Sequence, residues 1–353
     1  MKVLVMSANE IRPIIGITMG DAAGIGPEII DKALSKNEVY DISRPIVIGD
    51  ARVLEEALKV AKVGIKIRSV TLPSSAKFEF GTIDVVDLKN IRLSELKMGQ
   101  VQAMAGRASV EYVEKAVNMA LKDEINAIVT APLNKEAMNL GGYDYAGHTE
   151  ILAHLTNTED YAMMLVAGKL IVVHVTTHVS MIQACSRIKK DRVLTTIRLT
   201  QDAIEKLGIK KPLIAVSGLN PHAGESGMFG DEETKEIMPA IDAAKKLGIN
   251  VVGPMPPDSV FLRASRGEYS AVIAMYHDQG HIPVKMLGFE SGVNVTIGLP
   301  IIRTSVDHGT AYRRAGLRLG TGDPTSLEEA IKLAVQMARA HAGEKAEDQR
   351  VSR

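Results

Sequence analysis

The chain has 353 residues, 46% hydrophobic and 24% charged, a composition of the folded globular class. Lys plus Arg equals Asp plus Glu at 42 each, so no overall field draws it to nucleic acid or to a membrane surface, and an anionic ligand has to be held by locally placed cations. Cys185 is the single cysteine, which excludes an internal disulfide or thiolate metal cluster and fits a reducing cytoplasm. MKVLVMSANEIRP is too polar and brief for a secretory leader, and the apolar runs YAMMLVAG and LIVVHV, split by Lys169, fall short of a membrane span.

In chain order, apolar runs rich in Val and Ile predict strands at 14–19, 45–50, 127–132, 170–175, 213–219, 271–276 and 293–299. Amphipathic patterns predict helices at 27–36, 51–62, 100–121, 191–207, 231–247 and 326–342. Such alternation predicts an α/β protein with mostly parallel sheet, and the length suits two domains. There is no internal repeat or low-complexity linker. GEKAEDQRVSR (343–353) lacks apolar positions and is expected to fray.

In parallel sheets ligands gather at the carboxyl ends of strands. TMGD, TAPLNK, TTHVS, GLNPHAGE, YHDQGH and GLPIIRT all follow predicted strands. GDAAGIGPEII (20–30) is a glycine turn opening a helix at Pro27, which serves either close approach to a ligand or a tight strand–helix connection. Of the nine histidines, His178, His222 and His277 each sit at a strand-to-loop switch. Three convergent imidazoles hold a divalent cation and leave a coordination position open, as catalysis requires. His154, His174 and His341 lie on helical or strand patterns and are read as packed or surface residues.

His277 and His281 have the i,i+4 spacing of helical zinc peptidases. Gly280 and Pro283 disfavour a continuous helix there, and no glutamate occupies the general-base position, which argues against a peptidase. Lys285, Asn294 and Arg303, with His148 and Thr149 of GHTE, form a candidate anion pocket, since guanidinium grips carboxylate or phosphate bidentately. Asp258 and Asp278 are candidate carboxylates for holding a ligand histidine or taking a substrate proton, and sequence alone leaves both roles open.

ITMGDAAGIGPEI, TAPLNKEAM, GHTEILA, TTHVSM, GLNPHAGE, MYHDQG and VNVTIGLPIIRTSVDHGTA, in this order over about residues 14–316, resemble the 4-hydroxythreonine-4-phosphate dehydrogenase family of pyridoxal phosphate synthesis. The resemblance implies a cytoplasmic homodimer of two-domain α/β subunits, isocitrate/isopropylmalate dehydrogenase-like, with the active site in the interdomain cleft and at the subunit interface. It implies a terminal, cofactor-side domain of residues 1–135 plus 305–353, and a central domain of residues 136–304 with metal, substrate and dimer contacts. One divalent metal (Zn, Co, Ni, Mn or Mg) would be held by His178, His222 and His277. Substrate contacts would map to His148, Thr149, Lys285, Asn294 and Arg303, catalysis to Asp258, Asp278 and Lys285, and cofactor contacts to Asp307, His308, Gly309 and Thr310.

The implied activity is NAD-dependent oxidation at C3 of a 4-phosphorylated four-carbon hydroxy acid, then decarboxylation. His281, where vitamin-pathway enzymes usually carry an apolar residue, leans the chain toward a catabolic branch acting on 4-phospho-D-threonate or 4-phospho-D-erythronate, as do GESGMFGDEE, EDYAMML and GFESGVN. The alternative is the 2-amino substrate of the vitamin pathway; dihydrodiol dicarboxylate oxidation, phosphate acyl transfer and phosphosugar sensing are more distant readings. After DHGTA the run YRRAGLRLGTGDP departs from the family pattern. Arg313, Arg314 or Arg318 there would let the site accept NADP beside NAD by tolerating a 2′-phosphate, and would belong to a plain exposed loop otherwise.

Overall fold

A computed structural model describes residues 12–288 and 291–351, side chains from 344 on excepted. The leader-like start lies almost wholly outside these residues, as do Phe289 and Glu290 of GFESGVN. Twelve strands occur among the described residues: β1 (Ile14–Thr18), β2 (Arg44–Gly49), β3 (Lys66–Val70), β4 (Thr82–Asp87), β5 (Ala127–Thr130), β6 (Ala162–Ala167), β7 (Leu170–His174), β8 (Ile214–Ser217), β9 (Val251–Met255), β10 (Ala271–Ala274), β11 (Val293–Ile297) and β12 (Arg303–Val306). The chain divides into two compact units. One comprises residues up to Thr158 and from Leu299 on, the other Glu159–Gly298. The sequence placed the boundaries at 135 and 305. Residues 136–158 go with the first unit because the helices Lys135–Leu140 and His148–Leu155 pack on the helix Ala103–Leu121.

In the first unit the order β3-β4-β2-β1-β5-β12 is parallel throughout. In the second, the order is β11-β6-β7-β10-β8-β9, parallel from β7 to β9 and antiparallel at β11/β6 and β6/β7. Every residue of β5, β7, β8 and β10 is buried, as expected of strands covered on both faces. A core of Val193, Ile197, Val216, Ile237, Ile241 and Ile273 fills one face of the second unit, and one of Leu165, Val172, Val260, Phe261 and Val284 the other. No helix among the described residues is long and apolar enough to cross a membrane.

Two expectations need correction. The C-terminal segment is helical rather than frayed, in a helix running Thr325–Val351. His277–Gly288 is a continuous helix despite Gly280 and Pro283. The missing backbone bond at Pro283 is offset by tight seating on the sheet: a Cβ at position 280 would collide with Nε2 of His174 and with Val172, so glycine is what lets this helix lie so close to β7. Tertiary packing overrides propensity here.

The helix Gly26–Leu34 carries a cost. Asp31 is fully buried, and neither carboxylate oxygen has a hydrogen-bond partner. Burial, reinforced by nearby Glu28, pushes its pKa up to about 8. The folded protein therefore keeps Asp31 protonated across a range in which the unfolded chain, titrating near 3.8, ionises. Stability contributed through this group falls as pH rises from about 4 to 8 and is level above that. Asp31→Asn should melt close to wild type near pH 4 and several degrees higher at pH 8. A pH-independent difference in Tm would show that Asp31 does not titrate this way.

Candidate active site

In the second unit, β7 ends at His174 and the loop beyond it carries His178; β10 ends at Ala274 and the next helix begins at His277. Gln279 pins that helix start, its Oε1 accepting from the Met275 amide at 2.6 Å and its Nε2 donating to the Gly218 carbonyl at 2.8 Å. The His178 and His277 ring centroids are 5.6 Å apart. Imidazoles bound to one tetrahedral ion through nitrogens at 2.0–2.1 Å have centroids about 5 Å apart, so this pair suits two ligand positions. Nδ1 of His277 donates to Asp278 Oδ1 at 2.6 Å, which leaves Nε2 of the neutral ring as the lone-pair nitrogen. His281 stacks on His277 at 3.6 Å with planes 12° apart. Lone pairs of parallel stacked rings do not converge, so in this arrangement His281 shares no ion with His277.

His222 does not join them. It lies exposed in the segment Pro221–Gly227, where residues 222–226 all have positive φ, and its nearest aromatic neighbour is Phe229 at 6.5 Å. Among the described residues no three His, Cys, Asp or Glu side chains stand in metal-holding geometry. The structure thus brings together two of the three expected ligands. The base of the His222 loop is fixed by Glu233, whose Oε1 accepts from the Leu219 and Asn220 amides, both at 2.8 Å. Sequence reading missed Glu233.

Asp258 and Asp278, both exposed, line one groove of about 620 Å³ with Tyr276, Phe261 and Pro283. The bond to His277 makes Asp278 the carboxylate that orients an imidazole. Lys285 follows His277 and His281 at four-residue steps, which places all three along one row of the helix. Asn294 lies on β11 opposite Leu165.

The first unit holds the other anion-pocket residues. Arg303 opens β12, is 2% exposed, and donates from Nη2 to Thr130 Oγ1 at 2.7 Å. Burial lowers its pKa to about 9 against the opposing pull of Glu150. His148 starts the helix that also carries Thr149. Burial, and then the charge of Arg303, hold its imidazole well below the usual range, and its Nε2 is buried with no hydrogen-bond partner.

The glycine turn is a tight connection. A Cβ at Gly20, whose φ is 70°, would run into the Pro132 carbonyl. Asp21 accepts from the Ala23 amide at 2.8 Å and from the Tyr312 hydroxyl at 2.7 Å. The Asp307–Thr310 segment is tied to this turn through the Thr310 carbonyl, which accepts from the Ile25 amide at 2.9 Å. His308 Nδ1 bonds the Gly309 carbonyl at 3.0 Å, and the Asp307 amide donates to Ser326 at 3.2 Å. Beside the turn lies a cavity of about 550 Å³ lined by Gly24, Pro27, Val53, Leu96, Ala315 and Leu319, among others. Arg313, Arg314 and Arg318 are exposed in and just beyond the helix Tyr312–Leu317. The following glycines are held rather than loose. Lys32 donates to the Gly320 and Gly322 carbonyls at 2.9 and 2.8 Å, and Glu28 accepts from both amides.

An α/β scaffold with histidines and carboxylates at strand ends, and a buried cation apart from them, is that of an enzyme for small anionic molecules. Residues 41–334 match the family described as pyridoxal phosphate biosynthetic protein PdxA, and the chain belongs to that family. The D-threonate 4-phosphate dehydrogenase of Cupriavidus necator is 50% identical over 331 residues, 94% of this chain and 98% of its own. The crystal structure of a 4-hydroxythreonine-4-phosphate dehydrogenase from Burkholderia phymatum is 50% identical, covers 93% of this chain and 98% of that one, and superposes with a TM-score of 0.82. That of the Klebsiella pneumoniae enzyme of the same name is 45% identical, covers 94% and 99%, and has a TM-score of 0.86.

A dehydrated guanidinium gains more from an incoming anion than a solvated one does. Inorganic phosphate should therefore raise the Tm of wild type in proportion to the logarithm of its concentration. It should leave Arg303→Met unmoved; equal phosphate shifts in both proteins would place the anion elsewhere.

Proposed function

We propose that this chain oxidises the C3 hydroxyl of 4-phospho-D-threonate or 4-phospho-D-erythronate with a nicotinamide cofactor, followed by loss of carbon dioxide to give dihydroxyacetone phosphate. The observation that carries this reading is the 50% identity, over nearly the full length of both chains, to a relative named for oxidising D-threonate 4-phosphate. The buried Arg303 supports it, because a four-carbon acid bearing phosphate needs a strong, oriented cation.

In this reading Arg303 and His148 grip the phosphate, with Thr149 contributing its hydroxyl, and Lys285 and Asn294 are the expected contacts for polar groups of the acid. The family implies a nicotinamide cofactor and a divalent metal. His178 and His277 would hold the ion, with His222 the third ligand expected from the family; a divalent metal there would supply Lewis acidity toward the hydroxyl oxygen. Asp278 keeps His277 in the tautomer that offers Nε2. Asp258, in the groove with Asp278, takes the proton from the C3 hydroxyl; a bound nicotinamide would supply the hydride acceptor for C3. The resulting 3-keto acid loses its C1 carboxyl, and the bond's electron pair moves into the enolate. The Lys285 ammonium stabilises that enolate, and C2 takes up a proton.

Asp307, His308, Gly309 and Thr310 would approach the cofactor, and the cavity by the glycine turn has room for its adenine. Exposed Arg313, Arg314 and Arg318 flank that cavity's helix, so NADP would be accepted beside NAD if one of them meets the 2′-phosphate. Exposed Leu262, Ile282, Met286 and Leu287 lie around the second unit's groove and give it an apolar rim suited to a homodimer contact. The lone cysteine fits the cytoplasm.

The solved relatives named for 4-hydroxythreonine-4-phosphate favour a second reading, with a 2-amino group in place of the 2-hydroxyl. One assay panel decides: NAD and NADP against 4-phospho-D-threonate, 4-phospho-D-erythronate and 4-phosphohydroxy-L-threonine, with and without chelator. The expected result is a kcat/KM at least tenfold higher on a 2-hydroxy acid, lost in chelator. Preference for the 2-amino substrate would establish the second reading, and turnover untouched by chelator would remove the metal.

A further inference from the structure

We propose that His174 and His281 act as a pair of positioning residues that fix the ring of His277, an inference resting on the reading of His277 as a metal ligand. The geometry forms a directed chain of hydrogen bonds. The Met163 carbonyl can only accept, so Nδ1 of His174, 3.3 Å away, carries the proton. His174 is 1% exposed, and because the His277 carbonyl beside Nδ1 of His281 can only accept, the proton between the two rings sits on His281 and Nε2 of His174 is an acceptor. Nδ1 of His281, 3.1 Å from that Nε2, is therefore the donor, and it shares its proton with the His277 carbonyl at 3.1 Å.

Every orientation in the chain follows from the two carbonyls, and the His281 ring is held without freedom to flip. Its flat face is the surface on which His277 stacks at 3.6 Å. His277 is thereby located from two sides: the stack sets its plane, and Asp278 on Nδ1 sets its rotation and tautomer. A histidine so confined presents Nε2 in one direction before any ion arrives, which favours binding through preorganisation. An apolar side chain at 281 would fill the space and offer no bond to His174, leaving a buried nitrogen unpaired.

Three proteins separate positioning from mere packing: wild type, His281→Leu, and the double variant His174→Leu/His281→Leu. The readouts are Tm, Co(II) affinity by titration calorimetry, and the long-range 1H–15N spectrum of the metal-free imidazoles. His281→Leu should lower Tm, because Nε2 of His174 loses its donor; the double variant, with no orphaned nitrogen, should recover most of that loss. Co(II) affinity should fall at least tenfold in both variants, and the His277 ring, its Nδ1–H tautomer still set by Asp278, should lose its fixed plane, read as changed 15N shifts and linewidths in that spectrum. Affinity within twofold of wild type in the double variant, or an unchanged His277 spectrum, overturns the proposal. Failure of the underlying reading looks different: wild type would then bind Co(II) no better than His277→Ala. The metal-free spectra would still decide whether His281 positions the ring.

Discussion

The closeness with which the helix His277–Gly288 lies on β7 is the constraint from which the histidine cluster follows. A methyl group at position 280 would occupy the space of His174 Nε2 and press on Val172 and Ala274. With glycine there, the first turn drops far enough for His281 to bond His174 and for Gln279 to reach both the Met275 amide and the Gly218 carbonyl. These polar bonds run through an apolar layer containing Leu165, Val172, Ala274 and Val284. In such surroundings a satisfied network selects one arrangement strongly, since any slip leaves buried donors or acceptors unpaired. The helix that propensity argues against is thus tightly specified by its contacts. Pro283 costs one backbone bond beyond that first turn, where packing already determines the path.

The same contrast explains what was legible in the sequence. β1, β2, β5, β7, β8, β10 and β11 are rich in Val, Ile, Leu and Ala and almost wholly buried, and composition reveals them. β3, reading KIRSV with two residues exposed, lies at the edge of its sheet and looks like surface; β12, reading RTSV, is wholly buried yet polar. In β12 the sheet hydrogen bonds and partners for each side chain replace the apolar signal, and Arg303 is the extreme case. A rule that equates burial with hydrophobicity passes over the strand that carries the buried cation.

For the site, the strand-end rule located His178 and His277, because parallel topology delivers loop starts to one edge of a sheet. It could not place His222. That residue's position depends on a five-residue left-handed run, four of whose members have a Cβ, and no propensity argument predicts such a run. His174 shows the opposite limit. Packing was the right reading of its environment, yet its hydrogen-bond partner His281 lies 107 residues away, a relation that only the fold creates. Between Asp258 and Asp278 the sequence offers no distinction, and only the fold shows that Asp278 is the one bonded to an imidazole.

The two units handle polar chemistry in different ways. In the first, the Arg303 guanidinium is almost without water and Nε2 of His148 is buried, and the cost of stripping that solvent is met by folding rather than by ligand binding. Thr130 and the field of Glu150 compensate the guanidinium in part, so the cation is fixed and poorly solvated. In the second, His277 is about one-third exposed and Asp278 more so, and the groups are oriented by one another instead of by burial. A phosphate is a permanent charge that must be recognised identically at each stage of a reaction, and a rigid dry socket suits it. Under the proposed function, a hydroxyl that loses a proton and then becomes a ketone would need groups that tolerate changing charge, as solvent-accessible imidazoles steadied by a stack and a carboxylate do.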